Sequence, residues 1–302
     1  MTQGEESVRV AAIIAAYNPD KKVIDVFRAV VGQVDLVVVV DDRSNDSSTM
    51  PVFEELRSLG AEVIHSPNNA GIARTLNIGI SRCAAIGRFD YYLTLDQDSI
   101  PDQDYVSNAL KADRLARELN IPVGFVSAAT YNNSPVLGNG TLLGFEQPFD
   151  PWQSGMLIPR STFNAVGGLD EKLVIDAVDS EFTLRVRKAG LAVLCGSGCN
   201  MAHSLGQQST VSFWGKKRLY TYHSPVRVYY ITRNNLLIFF RYFLADPIWV
   251  ARKSYYELVN HSRRILFSKN KKEILRAMLF GVRDASMFRN GIIRASDMQK
   301  LS

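Results

Sequence analysis

Residues 10–16 form an unbroken apolar run that ends at Tyr17-Asn18-Pro19. An apolar run of that length closed by a turn signal reads as a strand buried on both faces. Residues 23–31 follow with helical spacing, and residues 36–40 read as a second strand rich in β-branched side chains. The pattern then predicts a helix over 47–59, a strand over 61–65, a helix over 71–85 and a strand over 91–95. Strands alternating with helices at this spacing imply an α/β class with a mostly parallel sheet covered on both faces.

The second half is less regular. Residues 101–120 read as an amphipathic helix, 122–128 as a strand and 132–147 as loop. Residues 152–206 hold a short apolar strand, a turn at Gly167-Gly168 and a helix near 179–189. From residue 226 onward the pattern becomes helical, aromatic and basic, which divides the chain into 1–225 and a helical region 226–302.

Ligands of open α/β sheets bind beyond the carboxyl ends of the strands. Three strand ends here carry polar groups: Asn18, Asp41-Asp42 and Asp96-Gln97-Asp98. In extended backbone, residues two apart share a side. Asp96 and Asp98 are therefore disposed to approach one hard cation, Mg²⁺ or Mn²⁺, together with substrate phosphates. A turn or helix cap is the plainer reading of an Asp-x-Asp, and helix capping is also open to Asp41-Asp42. Arg74 follows the turn Asn68-Asn69-Ala70-Gly71, either as part of a capped helix or as a partner for a diphosphate. Asp176, Asp179 and Glu181 stand at a helix start, where the dipole favours acids and where a general base for a hydroxyl is also well placed. His203 is one of four histidines, open to a structural role or to completing a metal or phosphate site.

Net charge is +5, with most of the surplus after residue 215, including Lys216, Lys217, Arg218 and Lys271-Lys272. A basic, aromatic end fits peripheral contact with an anionic membrane, a helical subdomain packing on the core, or a homo-oligomer contact. No nucleic-acid motif accompanies the charge, so no nucleic-acid partner is expected. Cys83, Cys195 and Cys199 form neither a metal-ligand pattern nor an even disulfide set, which fits a reducing, cytoplasmic setting. The first ten residues carry no apolar stretch of signal-peptide length, and no window reaches the ~18 apolar residues of a span.

The ordered blocks resemble the family-2 inverting glycosyltransferases, whose nucleotide-sugar-binding domain has the GT-A fold. They are Ala15-Ala16-Tyr17-Asn18, Val40-Asp41-Asp42-Arg43-Ser44, Asn68-Asn69-Ala70-Gly71, Leu95-Asp96-Gln97-Asp98-Ser99, Ser154-Gly155-Met156, Gly167-Gly168-Leu169-Asp170 and Ile175-Asp176-Ala177-Val178-Asp179-Ser180-Glu181-Phe182. The Leu-Asp-Gln-Asp-Ser form, His203-Ser204-Leu205-Gly206 and Tyr229-Tyr230-Ile231-Thr232-Arg233-Asn234 are similar to the bacterial rhamnosyltransferase branch, which uses dTDP-L-rhamnose to build cell-surface polysaccharides.

The resemblance implies roles. Tyr17, Asn18 and Asp41 would hold the nucleoside, Arg74 the phosphates, and Asp96 the ribose or sugar. Asp98 would bind the metal, with His203 and Arg233 as donor- or metal-side supports. Asp179 would deprotonate the acceptor hydroxyl, although Val178 replaces the family's usual Glu before it, which leaves Asp179 and Glu181 both open as the base. The acceptor would be a glycan or lipid-linked hydroxyl, at the inner face of the plasma membrane. UDP-sugar donors (galactofuranose, glucose, N-acetylhexosamine) and a non-catalytic binding role on the same fold are the competing readings.

Overall fold

The computed structural model describes residues 8–203, 208–213, 216–221, 223–268 and 270–301. Ser204, Leu205 and Gly206 of the motif noted above lie outside the described residues, as do the side chains of Lys216, Lys217 and Arg218. Contacts divide the chain into two compact units. The first holds the residues up to Asp170 and Phe182–His203; the second holds Glu171–Glu181 and the chain beyond His203. The division expected at 225 thus falls earlier, and the acidic turn around Asp179 belongs with the C-terminal unit.

In the first unit, β1 (Val10–Ala16), α1 (Lys22–Val31), β2 (Leu36–Asp41), α2 (Met50–Ser58), β3 (Glu62–His65), α3 (Ile72–Ile86) and β4 (Tyr91–Asp96) alternate as the pattern predicts. Then come β5 (Ser99–Pro101), α4 (Tyr105–Glu118), β6 (Val123–Ser127), β7 (Thr130–Tyr131), β8 (Ser134–Pro135), β9 (Gly138–Leu142), β10 (Phe145–Pro148), β11 (Met156–Pro159) and α5 (Arg160–Val166). The main sheet has seven strands in the order β12-β6-β11-β4-β1-β2-β3, with α6 (Val178–Lys188) leading into β12 (Ala192–Cys195). All run parallel except β11, which is antiparallel to both β4 and β6.

Every residue of β1 is buried, as a central parallel strand requires. On one face, Val10, Ala12 and Ile14 join Val23, Val26, Phe27 and Val30 of α1 in one core. On the other face α3 packs on β1 and β2 through Gly79, where a Cβ would come within 2.3 Å of Ile13 Cγ2. Residues 132–147, expected as loop, contain the short ladder between β9 and β10.

A second sheet, ordered β5-β13-β7-β8, uses β13 (Asn200–His203) to return the chain to the end of β4. The antiparallel register places His203 opposite Ser99. Beyond it, β14 (Gln208–Phe213) and β15 (Lys216–Thr221) pair with each other.

The second unit is built on α7 (Pro225–Tyr242), α8 (Pro247–Phe267), α9 (Lys271–Ser286) and the short α10 (Ala295–Met298). Its core gathers Val174, Val228, Tyr229, Ile274 and Ala277. Among the described residues no helix is long and apolar enough to cross a membrane.

Candidate active site

The ends of β1, β2 and β4 meet at one rim. The Tyr17 N–H donates to Gln97 Oε1 at 2.7 Å, which ties the end of β1 to the acidic turn after β4. Asp96 is held from below: its N–H donates to Ser154 Oγ, and Gln153 Nε2 donates to its carboxylate. Residues 153–155 are in turn fixed by Tyr131, which donates to Ser154 O, and Tyr105, which donates to Gly155 O. Gly155 has a positive φ of 95°, and a Cβ there would meet the Tyr105 hydroxyl at 2.5 Å, so glycine is required on both counts.

Asp96, Asp98 and His203 each offer a ligand atom, and these atoms all lie within 4.8 Å of one another. Ser99 Oγ lies 2.7 Å from His203 Nδ1 and orients the ring, while Trp152 lies against it with centroids 5.1 Å apart. Asn132 fixes the His203 backbone by accepting from its N–H and donating to its carbonyl. The donor set fits a divalent cation. Two carboxylates and one imidazole form a mixed oxygen–nitrogen set, which suits Mn²⁺ better than the strictly oxygen-seeking Mg²⁺. Beside it, Gln153 Oε1 is buried without a hydrogen-bond partner among the described residues, an acceptor that a ligand hydroxyl would satisfy.

A cleft of ≈ 590 Å³ opens next to the rim, lined by Tyr17, Asp41, Arg43, Ser44, His65 and Asn69 among others. Asp41 lines it with its carboxylate anchored: one oxygen accepts from Ser44 N and Oγ, and the other meets His65 Nδ1 at 2.8 Å. Asp42 points elsewhere. Its two oxygens accept from the Ala70 and Gly71 amides and so dock the start of α3 against the end of β2. Burial pushes the Asp42 carboxyl above its usual value, against the pull of those two amides. Arg74, half-buried, stands in the first turn of α3 just beyond.

Asn18, expected as a nucleoside ligand, ties the end of β1 to the loop after β2. Its side-chain oxygen accepts from the Asn45 and Asp46 amides, its Nδ2 donates to Asn45 Oδ1, and its φ is 44°. Arg233 departs from the expected donor-side support. It is buried in the second unit, with its guanidinium donating to the carbonyls of Gly291, Lys172 and Leu173. Its neighbour Asn234 donates from Nδ2 to the carbonyls of Leu173, Ile175 and Asp176.

Those carbonyls belong to a turn with three residues in the left-handed region: Val174 (φ 68°), Asp176 (φ 61°) and Ala177 (φ 62°). A β-branched residue there is costly, and such strain persists only when the surroundings over-determine it. Arg227 closes the clamp with a two-oxygen contact to the Asp176 carboxylate. The turn delivers Asp179, half-buried, to the first turn of α6. Glu181, two residues on, is buried and accepts from Arg241 Nη1 and the Tyr242 hydroxyl, contacts that occupy it structurally.

The sequence pattern passed over His65, Trp152 and Gln153, and quoted Ser154 only as part of a block without a role. His65 ends a strand, so the rule that drew attention to Asp41 and Asp96 would have found it. Trp152 and Gln153 precede β11, whose antiparallel insertion beside β4 carries no local signal.

Residues 11–126 match the family described as Glycosyl transferase family 2. Over 288 residues the chain is 26% identical to the dTDP-rhamnosyl transferase RfbF of Shigella flexneri, covering 91% of this chain and 94% of that protein. The crystal structure of S. aureus TarS 1–349 in complex with UDP-GlcNAc is similar with a TM-score of 0.56 at 18% identity, covering 98% of this chain and 82% of that one. The match to a longer TarS chain has a TM-score of 0.51 at 16% identity and spans 91% of this chain and 49% of that one. GalNAc-T7 with UDP, GalNAc and Mn²⁺ gives 0.55 at 11% identity, covering 94% of this chain and 57% of that one. The matched segment runs from β1 into β6 and holds the cleft, Asp96 and Asp98. Residues 11–126 are thus similar to glycosyl transferase family 2, on a sheet topology that is GT-A-like.

Proposed function

We propose that this glycosyltransferase moves L-rhamnose from dTDP-L-rhamnose, with inversion, onto a hydroxyl of a glycan or lipid-linked acceptor. The observation that carries the reading is the cluster of Asp96, Asp98 and His203 at the strand-end rim, beside the cleft of Tyr17 and Asp41. The rhamnosyl part is supported by the likeness to RfbF over nearly the whole chain.

In this reading Tyr17 offers its exposed ring to the base, and Asp41 with His65 presents a polar wall to the nucleoside. Arg74, at the N-terminal turn of α3, attracts the diphosphate, helped by the partial positive charge of the helix end. Asp96 accepts from a ribose or sugar hydroxyl. Asp98 and His203, with Asp96, would hold a Mn²⁺ or Mg²⁺ ion, which when bound offsets the charge gathering on the leaving diphosphate. Asp179 takes the proton of the acceptor hydroxyl. That oxygen then bonds to the anomeric carbon from the face opposite the diphosphate, which leaves with the electron pair of the broken C–O bond. Asp179 is preferred to Glu181 because Arg241 and Tyr242 already engage Glu181 in a buried site.

A thermal-shift screen of nucleotide sugars with and without Mn²⁺ tests the reading, because a ligand that binds only the folded state raises Tm by mass action. A metal-dependent rise with dTDP and dTDP-L-rhamnose, absent with UDP-sugars, is the expected result. A rise with UDP-sugars alone would discard rhamnose and keep the transferase. No rise with any nucleotide would sink the donor site itself.

A further inference from the structure

α8 buries Trp249 and Val250, yet it also places charge inward and an apolar stripe outward. Three of its charged residues, Lys253, Glu257 and Arg264, turn inward, with Glu257 paired to both cations and Arg264 only 8% exposed at its side chain. Its apolar residues Ile248, Tyr255, Leu258 and Leu266 turn outward; Ile248 is 78% exposed and Leu258 67%. At about 100° per residue these four fall on one side of the helix. A helix in a water-soluble fold does the opposite, burying its apolar stripe and exposing its charges.

The same surface character recurs on the neighbouring elements. Leu275, Leu279 and Val282 form an exposed stripe on α9, with Leu279 68% exposed. Leu244, at the corner between α7 and α8, is 93% exposed. Contiguous apolar exposure on this scale marks a surface that meets something apolar.

Charge identifies the partner. Residues 243–302 hold 12 Lys and Arg against 5 Asp and Glu, whereas the whole chain is only +5. The basic groups border the apolar stripes: Arg252 and Arg263 beside the α8 stripe, Lys271, Lys272 and Arg276 beside the α9 stripe. An apolar face edged with cations is the pattern of a helix lying in the headgroup region of an anionic bilayer. A second copy of this chain fits less well, because a two-fold contact would set each basic border against its own duplicate.

We infer that the outward faces of α8 and α9 dock on an anionic lipid bilayer surface. Contact lies along the surface rather than through it, since no described helix is long and apolar enough to span. The inference stands apart from the choice of donor sugar and is read without any nucleotide present.

The test is co-sedimentation of the full chain with phosphatidylcholine vesicles, plain or containing about a third phosphatidylglycerol. Two variants accompany it, Leu258→Gln/Leu279→Gln and Lys271→Glu/Lys272→Glu, all at exposed positions, with circular dichroism to verify folding. The wild type is expected on anionic and not on neutral vesicles, with binding weakened by added salt. Each variant is expected to lose about tenfold or more in partitioning. No binding to anionic vesicles, or equal binding to both kinds, overturns the inference. So does a wild-type dimer in sedimentation velocity that Leu258→Gln/Leu279→Gln returns to monomer, an outcome that assigns the face to a second copy.

Discussion

At the scale of single residues, the proposed roles separate by which step each substitution disturbs. Asp98→Asn removes one ligand from a cluster of three and leaves the hydrogen bonds that fix Asp96 intact. Affinity for dTDP in the presence of Mn²⁺ is expected to fall at least about tenfold by calorimetry; unchanged affinity would take Asp98 out of the metal site. Asp179→Asn is expected to spare donor binding and to lower kcat about 10²–10⁴-fold, the span of a lost general base. Glu181→Gln should do the reverse. It weakens the buried contacts to Arg241 and Tyr242, costs about 1–3 kcal/mol in denaturant melts, and leaves kcat within a few-fold. Should Glu181→Gln abolish transfer and Asp179→Asn not, the base assignment moves to Glu181. Residue type alone took the sequence reading part of the way. Asp96 and Asp98 stand where the strand-end rule put them, and His203, 104 residues from Ser99, joins them through a strand pairing that no local pattern announces. Arg233 looked like a ligand group because polar side chains that hold backbone and those that hold substrate are written with the same letters.

At the scale of elements, two contacts decide how the rim and the acidic turn are presented. Gly79 lies inside α3, where helix propensity alone would favour Ala by about 1 kcal/mol. The added Cβ, however, would sit 2.3 Å from Ile13 Cγ2 and 3.2 Å from Val40 Cγ2, against strands with no room to yield. Overpacking of that kind costs about 1–3 kcal/mol. Gly79→Ala is therefore expected to destabilise, read as a lower denaturant midpoint at constant slope. The turn before α6 depends on Asn234, whose one amide group serves three carbonyls. Asn234→Ala should release the strained run at 174–177 and lower kcat while the donor KM stays nearly constant, because Asp179 is carried by that turn. An equal loss in donor affinity would mean the turn does more than position the acid. The alternating strands and helices through residue 95 were legible because each has its own period and turn residues. The short strand β11 was expected too, but not its reversed direction, which comes from pairing between β4 and β6 rather than from its own four residues. The polarity of α8 escaped for a different reason: a helical period gives two faces and does not say which one is turned to the protein.

At the scale of the molecule, the buried charged face of α8 couples the second unit to pH. His261 lies beside Arg264, with Arg264 Nη1 3.2 Å from its Nδ1. Since a guanidinium only donates, that contact requires Nδ1 to be unprotonated. Burial first, and then the charge of Arg264, depress the His261 pKa from 6.5 to about 4. Glu257 and Lys253 complete the surroundings, paired with each other and, through Glu257, with Arg264. The sign follows from linkage. Between about 6.5 and about 4 the unfolded chain binds a proton at this site that the folded chain refuses, so stability is full above the unfolded pKa and is lost as pH falls toward the folded one. The integrated loss is about 3 kcal/mol at most, enough to matter to a unit with a small core. Hydrogen exchange read by peptide should show faster opening of residues 247–267 at pH 5 than at pH 7, after correction for intrinsic rates. Strands β1, β2 and β4 of the first unit hold no histidine and are expected to keep their protection. His261→Gln keeps a hydrogen-bond acceptor for Arg264 and removes the titration, so it should flatten the dependence while leaving stability at pH 7 nearly unchanged. If the variant opens as the wild type does at pH 5, the acid sensitivity lies in another group; Asp284 is not that group, because it titrates lower. Its carboxyl, raised by burial but pulled below its usual value by Arg283, Tyr229 and Arg294, loses its stabilising effect only as pH falls below the ordinary carboxylate range. The two groups therefore act in separate pH windows, and a scan from pH 7 to pH 3 distinguishes them.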